Sequence, residues 1–62
     1  MKLAAWLKLT GLTTYQLGRL GVASQASLDK YVAGGVPMKS VAKRIVRATH
    51  GAVTLKDLGV KE

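Results

Sequence analysis

Residues Leu12 to Tyr31, with the sequence LTTYQLGRLGVASQASLDKY, decide the fold of this chain. Thr13 and Gln16 have the spacing of a capping box, in which the threonine hydroxyl accepts the amide hydrogen three residues on and the glutamine side chain reaches back. The pair predicts that a helix begins here. We expect Leu17 and Leu20, three residues apart, to form the inward face of this helix.

Another helix follows after a short turn at residues 21–23. Ser24 is a favourable N-cap for it, and we expect the helix to run to about Ala33. Its apolar residues recur at helical spacing and predict an inward face made of Leu28, Tyr31 and Val32. Gly18, inside the preceding helix, lowers helix stability, so we expect it to allow the close approach of another backbone. Two short helices joined by a three-residue turn form a helix-turn-helix arrangement.

Helical spacing continues on both sides of this stretch. A first helix has Leu3, Trp6 and Leu7 on one face and ends at Thr10 and Gly11. We expect Trp6, like Tyr31, to lie in the core. Pro37 suits the loop or first turn before another helix.

That fourth helix, from about Met38 to Thr49, is the clearest amphipath of the chain. Val41, Ile45 and Ala48 form its apolar face, joined by Ala42 and Val46. Beyond it, Thr54 and Asp57 resemble a second capping box that opens a last turn containing Leu55 and Leu58, and we expect Val60, Lys61 and Glu62 to fray. The pattern predicts an all-α fold, a compact bundle of four to five short helices in a single domain spanning residues 1–62.

Composition limits the partners of this domain. The chain has 62 residues, no cysteine, and ten Lys and Arg against three Asp and Glu, which gives a net charge of +7. A chain of roughly 60 residues buries only about 60% of the surface that its unfolded form exposes, so its stability is modest. So dense a positive charge predicts a nucleic acid or an anionic membrane surface as the partner.

The same composition argues against catalysis and against cofactors. Asp29, Asp57 and Glu62 are too scattered to work as paired carboxylates, and no phosphate-binding glycine motif occurs. A zinc site needs about four ligands, which this chain does not offer. We expect the single His50 to lie at a helix end, where a cation complements the helix dipole. We therefore expect no enzyme, no metal, no cofactor and no small-molecule ligand, and the apolar runs are too short to span a bilayer.

The helix-turn-helix stretch resembles that of the Cro/lambda-repressor-like family of DNA-binding proteins. The pattern V-P-x-x-x-x-x-x-R-I-V-x-A-T-x-G-x-V-T-x-x-D-L, from Val36 to Leu58, resembles the tail of short phage and bacterial regulators of that family. The resemblance implies a transcriptional regulator that binds double-stranded DNA at specific sequences. It would act as a Cro-like repressor. It also implies a location in the bacterial cytoplasm or nucleoid.

Carried over by position, the resemblance makes the helix at residues 24–33 the recognition helix. Its base-reading residues would be Ser24, Gln25, Ser27 and Lys30. Gln25 also suits this role on chemical grounds, because a glutamine amide can bond to adenine N6 and N7. A solvated role is the alternative for Gln25. Asp29 would repel phosphate, accept a hydrogen bond from cytosine N4 or balance local charge.

Phosphate contacts are expected from two places. Thr14 stands where many family members carry a glutamine that grips phosphate, although its side chain is shorter. In the fourth helix, cations recur at every fourth residue and predict a second set of contacts, with a solvated face as the alternative. The cations at this spacing are Lys39, Lys43 and Arg47, and Arg44, which lies beside them, completes the set.

The turn departs from the family pattern. In the ungapped register, Gly21 stands where a buried apolar residue usually lies, and we expect Leu20 to supply the missing contact. In the alternative register, Gly21 is the turn glycine and the turn is one residue longer.

A homodimer on a palindromic operator is expected, because one helix-turn-helix domain covers only half a site. The apolar residues least needed by the monomer core predict the dimer interface, and these are Val53, Leu55, Leu58 and Val60. Alternatively, Leu55 and Leu58 close the base of the monomer core. Two other functions remain open, a cationic amphipathic membrane-active peptide and a helix-turn-helix protein-interaction module such as an antitoxin.

Overall fold

Four helices form the regular structure of residues 1–60, the part of the chain that the computed structural model describes. They are α1 (Leu3–Thr10), α2 (Thr14–Arg19), α3 (Gln25–Val32) and α4 (Lys39–Ala48), and residues 1–60 contain no strand. The predicted all-α bundle is confirmed. Of the three residues predicted to fray, Lys61 and Glu62 lie outside the described residues. Val60 does not fit the prediction, because its amide donates to the Leu55 carbonyl at 3.0 Å and its side chain packs against the core. Among residues 1–60, no helix has the length and apolar character needed to cross a bilayer.

The helix ends lie where the local sequence signals predicted them. The Gln16 amide donates to Thr13 Oγ1 at 3.2 Å, and the Thr13 amide donates to Gln16 Oε1 at 2.9 Å, which completes the capping box of α2. Ser24 Oγ accepts the Ser27 amide at 3.3 Å at the start of α3. α1 ends at Gly11. These signals were readable in sequence because each joins residues only a few positions apart.

The core gathers one apolar face from every helix. α3 packs against both α1 and α2. Trp6 and Tyr31 lie half-buried against the core, as the sequence predicted. The fully or almost fully buried apolar side chains are Leu3, Leu7, Leu17, Val22, Leu28, Ala42, Ile45, Val53 and Leu58.

Gly18 sits where α2 meets the chain entering α3. A β-carbon added at Gly18 would lie 3.1 Å from the Ala23 carbonyl oxygen and 3.5 Å from the Gln25 backbone nitrogen. The first distance is shorter than carbon and oxygen normally adopt without a shift of the backbone. The expected close approach is therefore confirmed, and it brings α2 against the start of α3.

The structure of the turn between α2 and α3 contradicts the ungapped register, in which Leu20 supplies the apolar contact. Leu20 is 66% exposed, whereas Val22 is only 4% exposed and belongs to the core. Gly21 has a φ of +83°, a left-handed conformation that glycine adopts without strain. The prediction that Leu20 fills the apolar position is therefore wrong. α2 ends at Arg19, and the reversal at Gly21 turns the next side chain, Val22, back into the core.

The residues predicted to form the dimer interface do not form an exposed surface. Val53 is fully buried and Leu58 is 7% exposed, both within the monomer core, and Leu55 and Val60 lie half-buried against it. The cause lies at the end of α4, where buried Thr49 accepts the Val53 amide at 3.2 Å and donates to the Ile45 carbonyl at 2.9 Å. The chain therefore folds back, and its last apolar residues close the monomer.

The predicted second capping box is present in the segment that follows, between Thr54 and Asp57. The Thr54 amide donates to Asp57 Oδ2 at 3.0 Å, and the Asp57 amide donates to Thr54 Oγ1 at 3.2 Å. The same carboxylate oxygen accepts a hydrogen bond from the Met1 ammonium at 2.7 Å, while that ammonium also donates to the Ala52 carbonyl at 2.9 Å. These contacts join the two ends of the described chain.

Replacing Leu58 by aspartate should unfold the protein rather than dissociate a dimer. The change removes a buried leucine, which contributes about 1.5–3 kcal/mol, and places a charge among apolar side chains. Such a loss is comparable with the ~3–5 kcal/mol that a core of this size supplies. Circular dichroism should show a loss of helix for Leu58→Asp, whereas Lys56→Asp, at an exposed neighbour, should remain helical. A fully helical Leu58→Asp variant would contradict this assignment.

Asp57 should make the stability depend on pH in the acid range. Its hydrogen bond with the Met1 ammonium, followed by those with Thr54, lowers the pKa of Asp57 from 3.8 to about 2. Because the folded pKa is lowered, the stabilisation is present above the unfolded pKa and is lost as the pH falls from about 4 towards 2. Denaturation of wild type and Asp57→Asn should therefore show a difference in unfolding free energy that shrinks over this interval. A difference that stays constant with pH would disprove the role of the carboxylate.

Candidate nucleic-acid interface

The first turn of α3 presents polar side chains to solvent. Ser24, Gln25 and Lys30 are exposed, and Ser27 is half-buried. The hydroxyl of Ser24 is occupied, because it caps the helix and donates to Ser27 Oγ at 2.9 Å. Within residues 1–60, the side chains of Gln25 and Lys30 make no hydrogen bond. Of the predicted base-reading set, Gln25 and Lys30 therefore have side chains that are wholly free among residues 1–60, and Ser27 keeps its hydroxyl hydrogen.

Thr14 has a partner inside the chain. Its hydroxyl donates to Asp29 Oδ1 at 2.5 Å, which ties the start of α2 to the middle of α3. The hydroxyl hydrogen is therefore engaged, and a phosphate placed at Thr14 would also face the Asp29 carboxylate. The expected phosphate contact of Thr14 therefore does not fit this arrangement. The sequence did not reveal the conflict, because Thr14 and Asp29 are far apart in the chain and meet only in the fold.

The cations of α4 lie on the surface, as the helical spacing predicted. Lys39, Lys43, Arg44 and Arg47 are all exposed. Arg44 and Arg47 line a groove together with Leu20, Gly21 and Val22 of the turn, and Lys43 joins the same two arginines in a neighbouring groove. Of the four predicted cations of α4, Arg44 and Arg47 thus lie beside the turn that leads into α3, Lys43 lies next to them, and Lys39 lines neither groove.

Two residues beside Gln25 were not predicted as part of the site. Tyr15 and Arg19 of α2 line a shallow groove of about 210 Å³ with Gly18, Ser24 and Gln25. The Arg19 guanidinium carbon lies 5.9 Å from the centre of the Tyr15 ring, within the range of a cation–π contact. Their spacing of four residues was a signal in the sequence, since such residues are neighbours on one helix face.

The positive charge of the described residues is almost uncompensated. Among residues 1–60, the single ion pair joins the Met1 ammonium to Asp57, and no lysine or arginine side chain pairs with a carboxylate. Asp29 is held by Thr14 and Asp57 by Met1 and Thr54. The cations beside the turn are therefore available to an external anion. Within residues 1–60, no group of three or more His, Asp or Glu side chains is placed to hold a metal ion.

Comparison of the chain with known protein families, with curated proteins and with solved structures finds no match.

Proposed function

We propose that this protein is a sequence-specific regulator that binds double-stranded DNA and represses transcription by occupying its site. One observation carries the proposal: the free polar groups of α3 lie beside a turn that is flanked by unpaired cations. The resemblance to Cro/lambda-repressor-like proteins supports the same function. Bound protein would block polymerase or a competing regulator.

Base reading is assigned to Gln25 and Lys30. An α-helix of about 10–12 Å diameter fits the major groove, which is about 12 Å wide. Gln25, the first residue of α3, would bond to adenine N6 and N7 through its amide. Lys30, one to two turns further along α3, would reach bases or backbone. Ser27 would contact bases or phosphates as a donor, because its Oγ accepts from Ser24 and keeps its own hydroxyl hydrogen free, whereas Ser24, which donates its hydroxyl hydrogen to Ser27, would act only as an acceptor.

Phosphate binding is assigned to the cations on either side of the turn. Arg19 lies beside Gln25, and Lys43, Arg44 and Arg47 lie on α4. Each phosphate that they neutralise would release counterions, so the affinity for any DNA sequence would fall as the salt concentration rises. Arg19 takes the place that the sequence assigned to Thr14 at the α2 side of the site.

Two copies are proposed to bind one palindromic operator, with half-sites one helical turn, about 10–10.5 base pairs, apart. The residues that the sequence assigned to the dimer interface pack in or against the monomer core. The two copies would therefore meet through a different surface, or come together only on DNA. A symmetric site would still be expected, because each copy presents the same α3.

A membrane-active peptide is a weaker proposal. Such a peptide needs an apolar helix face that is free to enter the lipid. In α4, the most amphipathic helix of the sequence, Ala42 and Ile45 are fully buried in the core. Membrane insertion of this face would first require the bundle to open.

Replacing Gln25 by alanine should relax the base preference at one position in each half-site. The cognate site should weaken by about 1–3 kcal/mol, the usual value of a bidentate base contact. Selection of bound sequences from a random duplex pool, run with wild type and with Gln25→Ala, measures both effects. A symmetric motif from the wild type would support the two-copy arrangement. Identical preference matrices from the two proteins would remove Gln25 from the readers, and no enrichment at all would overturn the proposed function.

Replacing Lys43 by alanine should weaken all duplex sequences alike. If Lys43 contacts one phosphate, the slope of log affinity against log salt concentration should fall in magnitude by about 1. Titration of a fixed duplex at several salt concentrations gives this slope. Lys8→Ala, which removes an exposed lysine from α1, should leave the slope nearer the wild-type value. Equal slopes for Lys43→Ala and wild type would assign Lys43 to solvent.

A further inference from the structure

An open groove lies between the α2–α3 turn and the last turns of α4. It has a volume of about 400 Å³ and is lined by Leu20, Gly21, Val22, Arg44, Arg47 and Ala48. Val22 is buried and Ala48 half-buried, so they form the floor, while both arginines are exposed at the edges. Leu20 is 66% exposed beside them. The groove therefore combines an apolar floor, one exposed leucine and two cations.

We propose that this groove binds an acidic segment of a partner protein, which places one apolar side chain beside Leu20 and carboxylates against Arg44 and Arg47. This interaction goes beyond DNA binding and does not depend on it. If the chain also binds DNA, such a segment would compete for the two arginines and so relieve repression.

Charge complementarity determines the acidic character of the partner. No carboxylate among residues 1–60 pairs with either arginine, because Asp29 is bonded to Thr14 and Asp57 to Met1. An arginine beside an apolar surface is suited to a carboxylate, which it can bind through two parallel hydrogen bonds. A second copy of this chain is a poor occupant, since each copy carries a net charge of +7.

Leu20 distinguishes a protein partner from a nucleic acid. Leu20 ends α2 as its C-cap and its backbone amide bonds to the Leu17 carbonyl, so a polar residue would serve equally well in the turn. A phosphate backbone would be bound by the arginines alone and would leave the leucine side chain in water. An apolar anchor from a protein segment would bury it, and such anchors between charged neighbours supply much of the affinity of small interfaces.

The test uses the full chain, labelled with nitrogen-15, and three short peptides. The first has a central leucine flanked by glutamates, the second has serine in place of the leucine, and the third has lysines in place of the glutamates. The leucine–glutamate peptide should cause saturable amide shifts at residues 20–22 and 44–48. The serine peptide should bind about tenfold more weakly, because it lacks the apolar anchor, and the lysine peptide should not bind.

A matched pair of leucine variants locates the contact. Leu20→Asn should weaken the leucine–glutamate peptide by about tenfold, whereas Leu9→Asn should bind it like wild type. Leu9 is a suitable control because it is also largely exposed but lies on α1. Thermal melts of both variants identify any loss of folding, and Arg44→Gln, which leaves the apolar floor intact, gives a second measurement with the same expected direction.

Several outcomes would overturn the proposal. Equal affinity for the leucine and serine peptides would show binding by charge alone, and shifts spread over all basic residues would show that the groove is not selected. If Leu20→Asn weakened a DNA duplex but not the peptide, the groove would belong to the nucleic-acid surface. A wild type that binds the peptide as expected but no duplex would refute the proposed function and leave the groove assignment in place.

Discussion

Gly18 allows α2 to meet the start of α3 almost backbone to backbone. A β-carbon there would come within 3.1 Å of the Ala23 carbonyl oxygen, so even alanine would require the turn to shift. Because the two helices are this close, Leu17 and Leu28 reach the same buried cluster although α2 has only six residues. The position of α3, and with it the direction of Gln25 and Lys30, depends on this contact.

The close approach also determines which groups remain free at the surface. It brings Thr14 to Asp29, and their hydrogen bond holds the Asp29 carboxylate against the start of α2. It places Tyr15 and Arg19 beside Gln25. On the other side of the turn, Val22 enters the core and leaves Leu20 outside, next to Arg44 and Arg47. The packing at Gly18 thus accounts for the polar site on one side of the turn, and the reversal at Gly21 accounts for the groove on the other.

So small a domain needs its last residues for its own core. Thr49 bonds both to α4 and to the Val53 amide, which directs the C-terminal segment inward. Val53 and Leu58 then complete the apolar cluster, and Asp57 joins this segment to Met1. A chain of this length has few apolar side chains to spare for a partner, which explains why the C-terminal segment closes the monomer instead of forming an exposed apolar surface.

The sequence by itself determined the all-α fold, the helix ends and the apolar faces. Thr13, Gln16, Ser24, Thr54 and Asp57 act on neighbours within three residues, and helical spacing alone places Leu17, Leu28 and Ile45 inward. The sequence did not determine which of Leu20 and Val22 enters the core. Nor did it determine the burial of Val53 and Leu58 or the contact between Thr14 and Asp29. Each of these depends on how the chain reverses at Gly21 or after Thr49, and on residues that meet only when separate segments pack together. Only the tertiary structure decided them, because local spacing carries no information about which distant side chains compete for the same part of the core.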